Sequence, residues 1–179
     1  MNTKFENMIL YICKKSADDA RFGRTKLNKL MYFSDFGFYL KRGSSISGEE
    51  YMANTNGPVP RHMKPVLDGM LADGRLGEIA IPTGLRPQQK PIAKADPKES
   101  DFSKEELGYI DDVLSKYERM NGTELSALSH AEPGFKAAKF KETIPYGTAY
   151  FPPYASATQA VKEKTQRLAS QYKWLGAND

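Results

Sequence analysis

The apolar positions fall into a sequence of mostly helical segments. Residues 3 to 16 place Phe5, Met8, Ile9, Ile12 and Cys13 at helical spacing and predict a first helix. After a polar connection, Arg24 to Gly43 predicts a second, with Thr25 as its cap and Gly43 as its stop. Leu27, Leu30, Met31, Phe33, Phe36, Phe38 and Leu40 surround its axis on nearly every side, the pattern of a buried helix. One stripe breaks that pattern. Asn28, Tyr32, Asp35 and Tyr39 follow at steps of four, three and four, which stacks them on a single face. Asp35 then either binds Lys29, Arg61 or backbone amides inside the fold, or belongs to a recognition face.

A short strand is expected over Glu50 to Thr55, broken by Asn56, Gly57 and Pro58. The Asn-Gly-Pro-Val-Pro run reads as a stiff turn aiming a helix of about Pro60 to Ala72, with Pro60 in its first turn. Leu76 to Ile81 and Pro91 to Ala95 predict a β-hairpin, either a wing or a surface flap whose tip carries Arg86 and Lys90. Ser103 and Glu106 form a capping-box pattern ahead of Leu107, Ile110, Val113, Leu114 and Tyr117, with Asn121 and Gly122 as the stop. Thr123 is expected to cap a further short helix ending at Pro133 and Gly134. Residues 143 to 154 are irregular and rich in Tyr, Phe and Pro, a covering arm. Ser156 to Trp174 predicts a last helix. The fold class is mainly α (α+β), a compact helical domain of five to six helices with a short hairpin or small antiparallel sheet. Residues 1–142 form the main domain, and 143–179 an arm and helix packed on it.

Composition narrows the function classes. With 179 residues, 40% hydrophobic and 27% charged, the chain is long enough for a real core. No run approaches the ~18 apolar residues of a membrane span, and the first helix, which carries Glu6 and Asp18 near its ends, lacks the pattern of a secretion signal; a cytoplasmic protein is expected, with no membrane partner. The single cysteine, Cys13, excludes an intrachain disulfide and reads as core. His62 and His130 have no cysteine partners at ligand spacing, so no metal or cofactor is expected. The +4 net charge is uneven: residues 1–90 hold 14 Lys and Arg against 9 Asp and Glu, residues 91–179 hold 12 against 13. Lys14, Lys15, Arg24 and Lys29 near the first helix junction are candidate phosphate contacts.

No nucleophile elbow, P-loop, dinucleotide fingerprint or zinc-protease motif occurs, and no catalytic residue is assigned. His130 beside Glu132 invites an acid–base reading. A histidine in that setting more often serves as a structural donor, to backbone or to a carboxylate such as Asp35.

Three stretches carry a resemblance. Thr25-Lys-Leu-Asn-Lys-Leu-Met-Tyr-Phe33, then an acidic extended segment and Asn56-Gly-Pro-Val59, together with Leu125-Ser-Ala-Leu-Ser-His-Ala-Glu-Pro-Gly-Phe-Lys136, resemble the Panacea domain, the SocA-like antitoxin family, over about Lys4 to Lys141. Two departures are the order Pro133, Gly134, Phe135 in place of Gly-Pro-Trp, and Met63 where an aromatic often follows Gly-Pro-Val. The resemblance implies an antitoxin of a two-gene system, often on prophages or mobile elements, that neutralises a co-encoded protein toxin by direct binding or delivers it to a protease. It marks Tyr32, Asp35, Tyr39, Gly57, Pro58 and His130; the arm adds Tyr146, Tyr150 and Phe151 as partner contacts. The alternative is a winged-helix-like DNA-binding transcriptional regulator, autoregulation of its own operon included, using Lys14, Lys15, Arg24 and Lys29.

Overall fold

The structure, a computed structural model, describes residues 3–82 and 87–151. The hairpin tip with Arg86, and the helix expected over 156–174, lie outside the described residues. Among the described residues, six helices and two small antiparallel sheets make a mainly α fold. Helix α1 spans Thr3–Lys15 and α2 spans Arg24–Arg42; strands β1 (Tyr51–Asn54) and β2 (Gly57–Pro60) form the first sheet. Helix α3 (Met63–Ala72) leads to β3 (Leu76–Ile81) and β4 (Gln88–Ala93), the second sheet. Helices α4 (Lys104–Lys116), α5 (Gly122–Ala131) and α6 (Pro133–Ala137) follow, then a 3₁₀ turn over Tyr146–Tyr150.

Helix α2 is the hub because its apolar side chains point in all directions. It packs on α1, α4, α5, β2, β4 and the 3₁₀ turn. Leu27, Leu30 and Met31 are fully buried with Phe5, Met8, Ile9 and Ile12 of α1. Gly43 ends α2 in the left-handed region (φ 74°), its amide donating to the Tyr39 carbonyl at 2.7 Å, as its sequence position predicts. The start differs from expectation: Gly23 is the N-cap, and Thr25 lies inside the first turn. The Gln88 side chain of β4 covers Gly23 so closely that a β-carbon there would come within 2.6 Å of it, and the Gln88 amide donates to the Phe22 carbonyl.

The larger departure is the Asn-Gly-Pro-Val-Pro run. Gly57–Pro60 is a strand, and Pro60 sits opposite Tyr51 in the register while α3 begins at Met63. Two prolines within four residues argue against a strand only where their missing N–H groups would face a partner. Here Pro58 pairs with Ala53, whose amide and carbonyl point the other way, to Glu142 and Lys141. Ile144 likewise donates to Tyr51. Residues 141–144 therefore flank β1 on the edge away from β2, with an isolated bridge between Met52 and Thr143.

Where it is described, the β3–β4 hairpin is held to the body of the fold. Lys90, expected at its tip, is buried and donates to the carbonyls of Ala17 and Asp19, which ties β4 to the α1–α2 connection. Ser103 and Glu106 make the expected capping box on α4. On α5 the cap is Asn121, boxed with Glu124, so Thr123 is the second residue of the helix and Asn121 opens a helix instead of closing one. Pro133 occupies the first turn of α6, where a missing N–H costs nothing. Cys13 is buried in the core, as expected, and burial pushes its thiol far above the ordinary range.

Candidate functional site

The polar stripe of α2 divides into a buried half and a surface half. Asp35 is fully buried and accepts four hydrogen bonds: from the amides of Ile46 (2.9 Å) and Ser47 (2.8 Å), the Ser47 hydroxyl (2.5 Å) and the Tyr51 hydroxyl (2.7 Å). Of the partners expected from sequence, backbone amides are realised, and Lys29 and Arg61 are engaged elsewhere. Burial raises the Asp35 pKa while the four donors pull it back. Burial raises the Tyr51 phenol well above its ordinary value, and the neighbouring Asp35 carboxylate adds to this.

Around this node lies an aromatic cluster. Tyr32 contacts Phe36 (4.3 Å between ring centroids) and Tyr51 (5.7 Å), and Phe36 contacts Tyr146 (4.6 Å). Tyr146 donates to the Glu49 carbonyl at 2.6 Å. Tyr39, only half-buried, stacks on Tyr146 and meets Tyr150 edge-on. The ring ladder thus runs from the core outward to Tyr150, which is 55% exposed, and the next residue, Phe151, is 63% exposed. Tyr32 and Asp35 hold this surface from beneath; Tyr39, Tyr150 and Phe151 form it.

Gly57, Pro58 and His130 meet at a second node, built on Lys29. Lys29 is fully buried, and its ammonium donates to the Pro58 carbonyl at 2.7 Å. Burial lowers its pKa to about 7. Gly57 has φ +94°, and a β-carbon there would collide with the Ser129 hydroxyl and come within 2.9 Å of the Lys29 nitrogen and 3.2 Å of the His130 ring. His130 stacks flat on Phe135 at 4.6 Å. Its Nε2 is buried without a hydrogen-bond partner among the described residues, so the expected bond to Asp35 or backbone is not made by that nitrogen. Sequence reasoning placed Lys29 on the wrong side of the surface, because a lysine at helical spacing beside Arg24 and Lys26 has the local signature of a solvated helix end.

The basic residues of the DNA reading are all engaged. Lys14 pairs with Asp96, Lys15 with Asp111 at 3.1 Å, Arg24 with Glu78 through two nitrogens, and Lys29 is buried. No group of three metal-ligating side chains occurs among the described residues.

The sequence from Leu27 to Phe135, which spans both nodes, matches the family model for the antitoxin SocA-like Panacea domain. The chain belongs to this family. The match begins inside α2 and ends in α6, so the Panacea domain of this chain includes Asp35, Gly57, Pro58 and His130, while α1 and residues 141–151 pack against it from outside the matched span. No curated protein and no solved structure gives a significant match to the chain. Membership supports an antitoxin role and, in general terms, a toxin as partner. No helix among the described residues is long and apolar enough to cross a membrane.

Proposed function

We propose that the protein neutralises a co-encoded protein toxin in the cytoplasm by binding it directly, and that it performs no reaction itself. Family membership carries this reading. The local chemistry supports it. His130 is stacked on an aromatic ring with one nitrogen sealed from solvent, and Asp35 is saturated by four donors, so neither is poised to exchange a proton with a substrate. The outward end of the aromatic ladder offers large rigid side chains of the kind that anchor protein interfaces.

The test is co-expression with the product of the neighbouring reading frame. That product arrests growth when expressed alone, and growth is restored, with the two proteins copurifying, when this chain is present. Persistent arrest under co-expression would refute the proposal.

A further inference from the structure

Strand β3 has one paired edge and one open edge. The Arg75 carbonyl accepts from the Lys94 amide, and Pro91, which has no N–H, stands opposite Glu78. Both facts place Leu76, Glu78 and Ala80 in the non-hydrogen-bonded pairs of the hairpin, while Gly77, Ile79 and Ile81 exchange bonds with β4. The N–H and C=O groups of Glu78 and Ala80 therefore point away from β4, and no described residue bonds to them.

The first sheet manages its edge differently. There residues 141–144 close the outer side of β1 with backbone bonds to Ala53 and Tyr51. No described segment closes β3 in that way, and Ile79 and Ala80 are exposed, Ile79 by 48%. Open edges are commonly blunted by a lysine, a proline or a bulge. Leu76–Ile81 reads Leu-Gly-Glu-Ile-Ala-Ile, and its one charge, Glu78, is held by two nitrogens of Arg24.

We propose that this edge pairs with the same edge of a second copy, β3 antiparallel to β3, so that two hairpins become one four-stranded sheet. The strand's own sequence selects the register. A two-fold axis through Glu78 would set carboxylate against carboxylate, and one through Ala80 would oppose Glu78 to Pro82, which cannot donate. An axis through Gly77 would leave the close central pair without side chains and set Ile79 opposite Arg75. An axis through Ile79 has none of these faults. Glu78 of each copy then exchanges both backbone bonds with Ala80 of the other, which satisfies the open groups on both sides. Ile79 meets its own copy in the close pair and leaves water, and Ile81 falls opposite Gly77, which has no side chain in its way. Self-association through β3 is independent of the neutralisation reading and uses none of its surface.

The experiment is sedimentation velocity on the full chain from about 1 to 200 µM, where a monomer passes to a dimer with the weak affinity that a short strand interface gives. Ile79→Lys sets two ammonium groups against each other on the axis. Ala80→Pro removes an N–H that crosses the interface and spares the hairpin, because Ala80 does not bond to β4. Each variant weakens dimerisation at least tenfold, whereas Leu40→Asp, at a position 52% exposed on α2, leaves it unchanged. Circular dichroism and the urea midpoint confirm that each variant is folded. The close pair also brings two cysteines within disulfide reach, so with oxidised glutathione Ile79→Cys links two chains at least tenfold faster than Gln89→Cys, at an exposed position on β4. A wild type that stays monomeric throughout overturns the proposal. So does a dimer that Ile79→Lys and Ala80→Pro, both folded, leave intact, or equal linking rates for the two cysteine variants. A monomeric wild type that binds the product of the neighbouring reading frame, and loses that binding in Ala80→Pro, assigns the edge to the toxin and overturns the proposal as well.

Discussion

Tyr51 donates its hydroxyl to the Asp35 carboxylate at 2.7 Å with both side chains completely buried, a charge-assisted bond joining β1 to the middle of α2. The same carboxylate holds the amides of Ile46 and Ser47, so the turn after α2 and the first strand share one anchor.

Removing that anchor strands four donors in the core. Asp35→Ala is expected to destabilise the fold by about 3–5 kcal/mol, and Tyr51→Phe by about 1.5–3 kcal/mol, because the second removes one bond to a charged group and leaves the others in place. Equilibrium urea unfolding measures both. A loss under 1 kcal/mol for Asp35→Ala would show that the network contributes little.

Lys29 gives stability a pH dependence of definite sign. Its folded-state pKa is about 7 against an ordinary value of 10.5. Below about pH 7 both states are protonated and the cost of burying the charge is full. Between about 7 and 10.5 the unfolded chain holds a proton that the folded chain does not, so stability rises with pH. Lys29→Met flattens this part of the profile. Urea midpoints from pH 6.5 to 9.5 for the two proteins decide the matter, and identical slopes would contradict it.

At Gly57 conformation and space act together. A φ of +94° disfavours any side chain, and the Ser129 hydroxyl occupies the place where a β-carbon would go. Gly57→Ala is expected to cost about 2–4 kcal/mol, more than an exposed glycine in the same region would. Gly43→Ala is the comparison, since it shares a positive φ but meets nothing within 4 Å, and about 1 kcal/mol is expected there. Thermal melts of the two variants separate strain from collision.

Cys13 is buried at 1% exposure, and burial keeps its thiol protonated. An aromatic disulfide reagent should label it no faster than the chain unfolds, with rates that climb as urea approaches the midpoint. Rapid labelling of the native protein in buffer would mean that α1 opens locally.

The hub helix was legible because it is apolar on all sides, and a helix of that kind has to be surrounded. The stacking of Tyr32, Asp35 and Tyr39 was legible from spacing alone. What spacing does not convey is depth along the stripe, which depends on the loop after Gly43 folding back to cover Asp35. The strand at Gly57–Pro60 was hidden because proline is a strand-breaker in general and harmless only in the pairs whose polar groups face outward. Lys29 was hidden for a related reason: its acceptor, the Pro58 carbonyl, lies 29 residues away and belongs to that unrecognised strand. Glu132 and Phe151 line one groove although they are distant from Leu40 in sequence, a proximity that no local pattern encodes.

Strand β1 is sandwiched between β2, which begins three residues after β1 ends, and the stretch at 141–144. During synthesis its near neighbour is available almost at once, but its other edge waits until roughly ninety more residues have left the ribosome. For that interval a nascent chain carries an open strand edge beside a strongly apolar helix, the combination most prone to wrong pairing with other chains. Truncations ending before Lys141 should accordingly collect in the insoluble fraction, while those that include Ile144 should not.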